Sequence, residues 1–178
     1  MAVKKVIRMG DPRLLKVTEP VTEFNTVALS KLVNDLLDTV AKHDGAGLAA
    51  PQIGINKRVV VFGLEANPRY PEEESIPTTV LINPVIEALD EQMEAGWEGC
   101  LSVPGLRGLV PRYRHIRYSG FDQFGTKIER EVNDFHARVV QHECDHLDGI
   151  LYPQRMSDMC QFGFEEELEK AAEAESER

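Results

Sequence analysis

The densest chemistry in the chain lies in Gln141-His142-Glu143-Cys144-Asp145-His146-Leu147-Asp148-Gly149. On a helix, side chains four apart share a face, so His142 and His146 would turn two imidazoles toward one point, as metal binding requires. Glu143, about 100° further round than His142, sits beside that point and could act on a water at the metal without being a ligand. Cys144 lies roughly 200° from His142 and is expected in the core. This is a metal hydrolase layout. A solvated, charged helix face would carry the same string, but Phe135, Val139 and Val140 form an apolar stripe that would bury the helix, and a buried histidine pair needs partners. Asn133 and Asp134 suit the start of this helix, and Asp148-Gly149 its end.

The elements that must hold such a helix read as follows. Gly10-Asp11-Pro12 is a turn opening a short helix at residues 13–15. Leu29, Leu32, Val33, Leu36, Leu37 and Val40 recur at helical intervals, which predicts an amphipathic helix over 26–43, capped by Asn25 or Thr26. Gly45 to Gly54 uses the smallest side chains in the sequence and lets backbone approach a ligand or another element closely; it lacks the patterns of a phosphate-binding loop. Residues 58–64 (RVVVFGL) form a buried strand, and 65–79, rich in proline and glutamate, an exposed loop. Short strands follow at 79–83, 85–90 and 92–97, and 112–121 with 126–132 makes a hairpin turned at 122–125. A helix over 164–176 lies in an acidic tail, 165–178. Helices, a run of strands, then helices predict one α+β domain over 1–178, with mainly antiparallel sheets packed around the metal-binding helix.

Composition narrows the function classes. Hydrophobic residues make up 42% and charged residues 28%, as in ordinary globular proteins. No apolar run approaches the roughly 20 residues of a membrane span, and Gly10-Asp11-Pro12 interrupts any signal-like segment, so a cytoplasmic protein without membrane contact is expected. Three cysteines, Cys100, Cys144 and Cys160, fit a reducing compartment better than a disulfide scaffold. Net charge is −10, and the span 157–178 holds eight acidic residues against Lys170 and Arg178. Direct nucleic-acid binding is not expected from such a balance. Arg107, Arg112, Arg114 and Arg117 stand out in this acidic chain and read as surface strand residues, with Arg107, nearest Cys100, the one placed to touch substrate.

A catalytic site needs three protein ligands and one open position. The residues alone leave two choices for the third: Cys100, between strands, or Glu166, twenty residues after His146 as in thermolysin-like peptidases. Three motifs bear on this. Gly45-Ala46-Gly47-Leu48-Ala49-Ala50-Pro51-Gln52, Glu98-Gly99-Cys100-Leu101-Ser102 and His142-Glu143-Cys144-Asp145-His146 resemble, in order and spacing, the signature motifs of peptide deformylases (GxGLAAxQ, EGCLS and HExxH). The resemblance runs from about Val6 to Tyr152-Pro153. It implies removal of the formyl group from the formylmethionine of new polypeptides, releasing formate.

It further implies Cys100, His142 and His146 as metal ligands, Glu143 as general base, and Gln52 with the backbone N–H of Leu101 as donors to the formyl oxygen. Iron(II) is the ion it implies first, with zinc, nickel or cobalt as substitutes; a mixed nitrogen and thiolate site accepts several. Gly45 and Gly47 would wall a site that admits formyl hydrogen and obstructs an acetyl methyl, and Phe135 and Val139 would line the methionine pocket. Glu98 and Asp145 would support the ligands from behind, or form ordinary salt bridges.

Departures from the pattern also carry expectations. Ala46 stands where a larger aliphatic residue is frequent, which would widen the cleft, and 105–112 looks like the mitochondrial and related bacterial branch. Some bacterial deformylases dock on the ribosome through a basic C-terminal helix; this acidic tail predicts weak ribosome contact at most. The competing readings are a thermolysin-like peptidase using Glu166 and a catalytically silent relative that binds formylated peptides.

Overall fold

The structure is a computed structural model that describes residues 2–64 and 75–176. Helix α1 (Val27–Lys42) starts where the Thr26 hydroxyl accepts from Leu29 N at 3.1 Å, as its sequence position foretold. The strands are β1 (Gly47–Ala49), β2 (Val59–Leu64), β3 (Ile76–Ala88), β4 (Met93–Cys100), β5 (Val103–Tyr113), β6 (His115–Phe121), β7 (Lys127–Asn133) and β8 (Phe162–Phe164). Helices α2 (Asp134–Leu147) and α3 (Glu165–Ser176) complete the regular elements, with single turns of 3-10 helix at Pro12–Leu15, Ala50–Ile53, Tyr152–Arg155 and Met159–Gln161. Five strands form one antiparallel sheet in the order β1-β2-β3-β6-β7, and three form a second in the order β4-β5-β8. The α+β class with mainly antiparallel sheets is as expected.

The run of valines in β2 is apolar throughout because both faces of the sheet are covered. Val59 and Val61 pack with Leu29, Val33 and Leu36 of α1. Val60 and Phe62 point the other way, to Ala137, Val140, Cys144 and Leu147 of α2, whose spacing of three and four makes the apolar face of that helix. On its far side α2 is tied to the second sheet by polar side chains. Arg138 donates to the carbonyls of Glu94 (2.7 Å) and Val110 (2.8 Å), and Gln141 Nε2 to that of Tyr113 (2.8 Å). The metal-motif helix is therefore clamped between the two sheets.

Several expected elements differ. The strands expected at 79–83 and 85–90 merge into one, β3, which ends at Ala88 and is kinked by a register shift between Ile82 and Val85. At the kink Asn83 takes a left-handed φ of 51°, and its amide bonds both backbone groups of Val21 at 2.8–2.9 Å. Of the loop expected over 65–79, residues 65–74 lie outside the described residues, whereas 76–79 already belong to β3. The expected strand 112–121 is divided at Arg114 between β5 and β6, in different sheets. Asn133 precedes α2 without a side-chain cap, and Asp134 bonds Arg114 instead. The hairpin over 122–126 is as expected: Asp122 Oδ1 accepts from Phe124 N and Thr126 N, both at 2.8 Å.

Candidate metal centre and cleft

Where β4 turns into β5, Cys100 sits opposite Val103, and its sulfur faces α2. The donor atoms of Cys100, His142 and His146 lie within 4.8 Å of one another, and the Cys100 Sγ to His146 Nε2 distance is 3.3 Å. Among the described residues these three are the one group of histidine, cysteine and carboxylate side chains so gathered. Glu166, the rival third ligand, is exposed on α3 and is not in it. The donors fit a divalent ion: two imidazoles and a thiol, gathered within 4.8 Å of one another. Cys144 turns into the core, where burial pushes its thiol up, so it stays protonated.

His142 is oriented from behind. His142 Nδ1 is 2.8 Å from Glu98 Oε2, and Glu98 receives Arg112 at both oxygens, Nε at 2.9 Å and Nη2 at 3.0 Å, with Arg138 Nη1 at 2.9 Å. Arg112 then reaches Asp145 Oδ2 at 2.5 Å, and Asp145 also takes Arg155 at 2.7 Å. An ionised Glu98 only accepts, so the His142 proton must sit on Nδ1, which leaves Nε2 with its lone pair for an ion. Thus Glu98 and Asp145 are both salt-bridged and supporting. Arg112 corrects the expectation of a surface arginine: it is 5% exposed. It shares the inward face of β5 with the buried Val110, in a strand whose Pro104, Gly105, Gly108 and Pro111 disguise its alternation in the sequence.

Burial works against an ionised Glu98, yet the hydrogen bonds from His142 and Arg112 outweigh it and hold the carboxyl well below the usual carboxylate range. A carboxyl depressed in the folded state stabilises the fold above its unfolded pKa, near 4.5, and that share is lost as pH falls through the folded value. Glu98→Gln should therefore start from a lower Tm at neutral pH and lose less Tm than the parent between about pH 5 and pH 3. Parallel curves from the two proteins in a thermal melt series would contradict this linkage.

Glu143 has its Oε2 buried with no hydrogen-bond partner, and burial pushes its carboxyl up to about 7. Gly47 makes room for it, since a Cβ there would meet Glu143 Cδ at 2.6 Å. This is the close approach that the small-residue run foretold. Gln52 is locked by Ala49 N donating to its Oε1 at 2.8 Å, which turns Nε2 toward Cys100 Sγ (3.4 Å) and Ser102 Oγ (3.2 Å). A cleft of about 960 Å³ opens over these groups. Gly45, Ala46, Gly47, Gln52, Cys100, Leu101, Arg107, Phe135, Val139, His142 and Glu143 border it, and His146, 1% exposed, lies beneath. Trp97, Arg138, Glu165 and the segment Lys4–Arg8 border it too, and no local pattern in the sequence marks them.

Fold and site define a class: a hydrolase with two buried histidines and a partly buried cysteine able to hold a metal ion at the floor of an open cleft. Comparison with known proteins narrows it. The family model for polypeptide deformylase matches residues 3–162, and the chain belongs to the peptide deformylase family, enzymes that remove the N-formyl group from nascent polypeptides. It is 59% identical to peptide deformylase 1 of Bordetella pertussis over 93% of this chain and 94% of that one. Peptide deformylase 1 of Nitrosomonas europaea is 58% identical over the same shares. Among solved structures, the Met-Ala-Ser-bound class I type b peptide deformylase of Acinetobacter baumannii superposes with a TM-score of 0.84. It is 38% identical and covers 87% of this chain and 99% of that chain. The thermolysin-like and catalytically silent readings are set aside accordingly.

Proposed function

We propose that this single domain, spanning residues 1–178, deformylates nascent polypeptides through an ion held by Cys100, His142 and His146, with Glu143, Gln52 and Leu101 acting on the formyl group. One observation carries the reading. A thiol from β4 and two imidazoles from α2, more than forty residues apart in the chain, converge beside a buried carboxylate that has an unpartnered oxygen. When bound, a divalent ion supplies Lewis-acid activation of water and carbonyl; we assign iron(II), with zinc, nickel or cobalt as substitutes.

Glu143 accepts the proton of the attacking water and returns it to the amine nitrogen as the C–N bond breaks, so its carboxylate is regenerated with each turnover. A carboxyl near pH 7 suits both transfers. As water adds to the formyl carbon, its oxygen gains negative charge, met by the Gln52 amide and the Leu101 backbone N–H. Formate and a free N-terminal amine leave. Phe135 and Val139 offer the apolar wall for methionine, Gly45 and Gly47 limit the acyl group to formyl, and Ala46 leaves the neighbouring cleft wide. Nascent chains arise at the ribosome, so the cytoplasm is the compartment this reading requires. Glu165, Glu166 and Glu167 in the first turn of α3 support weak contact with ribosomal RNA at most, and no other nucleic-acid or membrane partner. Among the described residues no helix is long and apolar enough to cross a membrane.

The test is formate release from formyl-Met-Ala-Ser, with metal content measured on the same samples. Cys100→Ala should lose both bound metal and turnover, whereas Glu166→Ala should keep both. Retention of stoichiometric metal and full turnover by Cys100→Ala would overturn the ligand assignment.

A further inference from the structure

Glu165 lies three residues past the stretch that the family model matches, yet it borders the catalytic cleft. β8 brings it there by pairing with β5 so that Gly163 stands opposite Arg107. α3 begins one residue after β8, which sets Glu165 beside the arginine. Arg107 Nε and Nη2 both donate to Glu165 Oε1, at 2.8 and 2.5 Å. The arginine side chain is 16% exposed and the glutamate 41%. On its inner side the guanidinium lies against Gly99, where an added Cβ would meet Nη1 at 2.9 Å and Cζ at 3.1 Å. Gly99 directly precedes Cys100, so the guanidinium rests on the segment that carries the sulfur.

An unanchored arginine samples many rotamers and loses that freedom on binding a ligand; one already held by two N–H bonds to a carboxylate loses less. Peptides whose formyl group reaches Cys100 extend their following residues along the cleft that Arg107 borders, one residue from Cys100 through its contact with Gly99. Every such residue presents a backbone carbonyl, an acceptor independent of side-chain type. We propose that Glu165 is a positioning residue, fixing Arg107 at the mouth of the cleft so that its guanidinium binds the backbone carbonyls that follow formylmethionine. The C-terminal helix thereby takes part in substrate binding. This rests on the deformylase reading above.

The contribution should grow with peptide length. Steady-state formate release is compared for formyl-methionine and formyl-Met-Ala-Ser in the parent, Glu165→Ala, Glu165→Gln, Arg107→Ala and the double alanine variant. Glu165→Ala should raise KM for formyl-Met-Ala-Ser about 3- to 10-fold, well beyond any fall in kcat, and leave KM for formyl-methionine unmoved. Arg107→Ala should reproduce the split, the double variant should add little to it, and Glu165→Gln, which keeps the acceptor, should recover part of the loss. Trp97, the chain's single tryptophan, borders the cleft, so its fluorescence on titration with Met-Ala-Ser reads peptide affinity without turnover and should weaken by the same factor. The proposal is overturned if KM rises equally for both substrates, if Glu165→Ala leaves KM for the tripeptide unchanged, or if the two single effects add in the double variant. Failure of the parent to release formate would count against the deformylase reading instead, and the Trp97 titration would still decide whether Glu165 matters to peptide binding.

Discussion

Glu143→Gln should bind its metal like the parent and turn over formyl-Met-Ala-Ser about 10²- to 10⁴-fold more slowly. The substitution keeps the shape that Gly47 accommodates and the packing of a fully buried side chain. What it removes is the ability to take up a proton. The unpartnered Oε2 of Glu143, which borders the cleft, can receive a proton and hand it on, and the raised carboxyl pKa favours both directions of transfer near neutrality. The loss should therefore fall on kcat, with KM moving far less. Elemental analysis and a melting curve on the same sample separate this result from misfolding or metal loss. A kcat within about tenfold of the parent would remove Glu143 from the proton transfers.

Arg112→Ala carries the largest expected effect on stability. It leaves the Glu98 and Asp145 carboxylates buried without their shared partner, a situation that costs about 3–5 kcal/mol. For a chain of this length that is a fall in Tm of roughly 6–20 °C. The variant Arg112→Met with Glu98→Gln, which lowers the buried charge on both sides, should lose less than Arg112→Ala alone. Activity should fall in Arg112→Ala beyond what unfolding explains, because a displaced Glu98 no longer fixes the His142 tautomer. A Tm within about 2 °C of the parent would mean that Arg155 and Arg138 satisfy the two carboxylates unaided.

Much of this molecule is legible in its amino-acid sequence. The register of His142 and His146 on a helix, the turn of Cys144 away from them into the core, the capped helix expected over 26–43 and the doubly buried β2 follow from periodicities of 3.6 and 2 within single elements. Such periodicities belong to the backbone and need no partner. The three motifs likewise pointed to the chemistry. What a linear string left open was every relation between elements. Residue type alone offered both Cys100 and Glu166 as third ligand and the motif resemblance favoured Cys100; it is the β4–β5 turn that brings this sulfur to α2, while Glu166 is exposed on α3. Arg112 looked like a surface residue because its burial depends on β5 being covered by α2. The Arg107–Glu165 pair depends on the β5–β8 register across more than fifty residues. Such contacts are set by long-range strand pairing and by which faces are covered, and tertiary structure alone decided them.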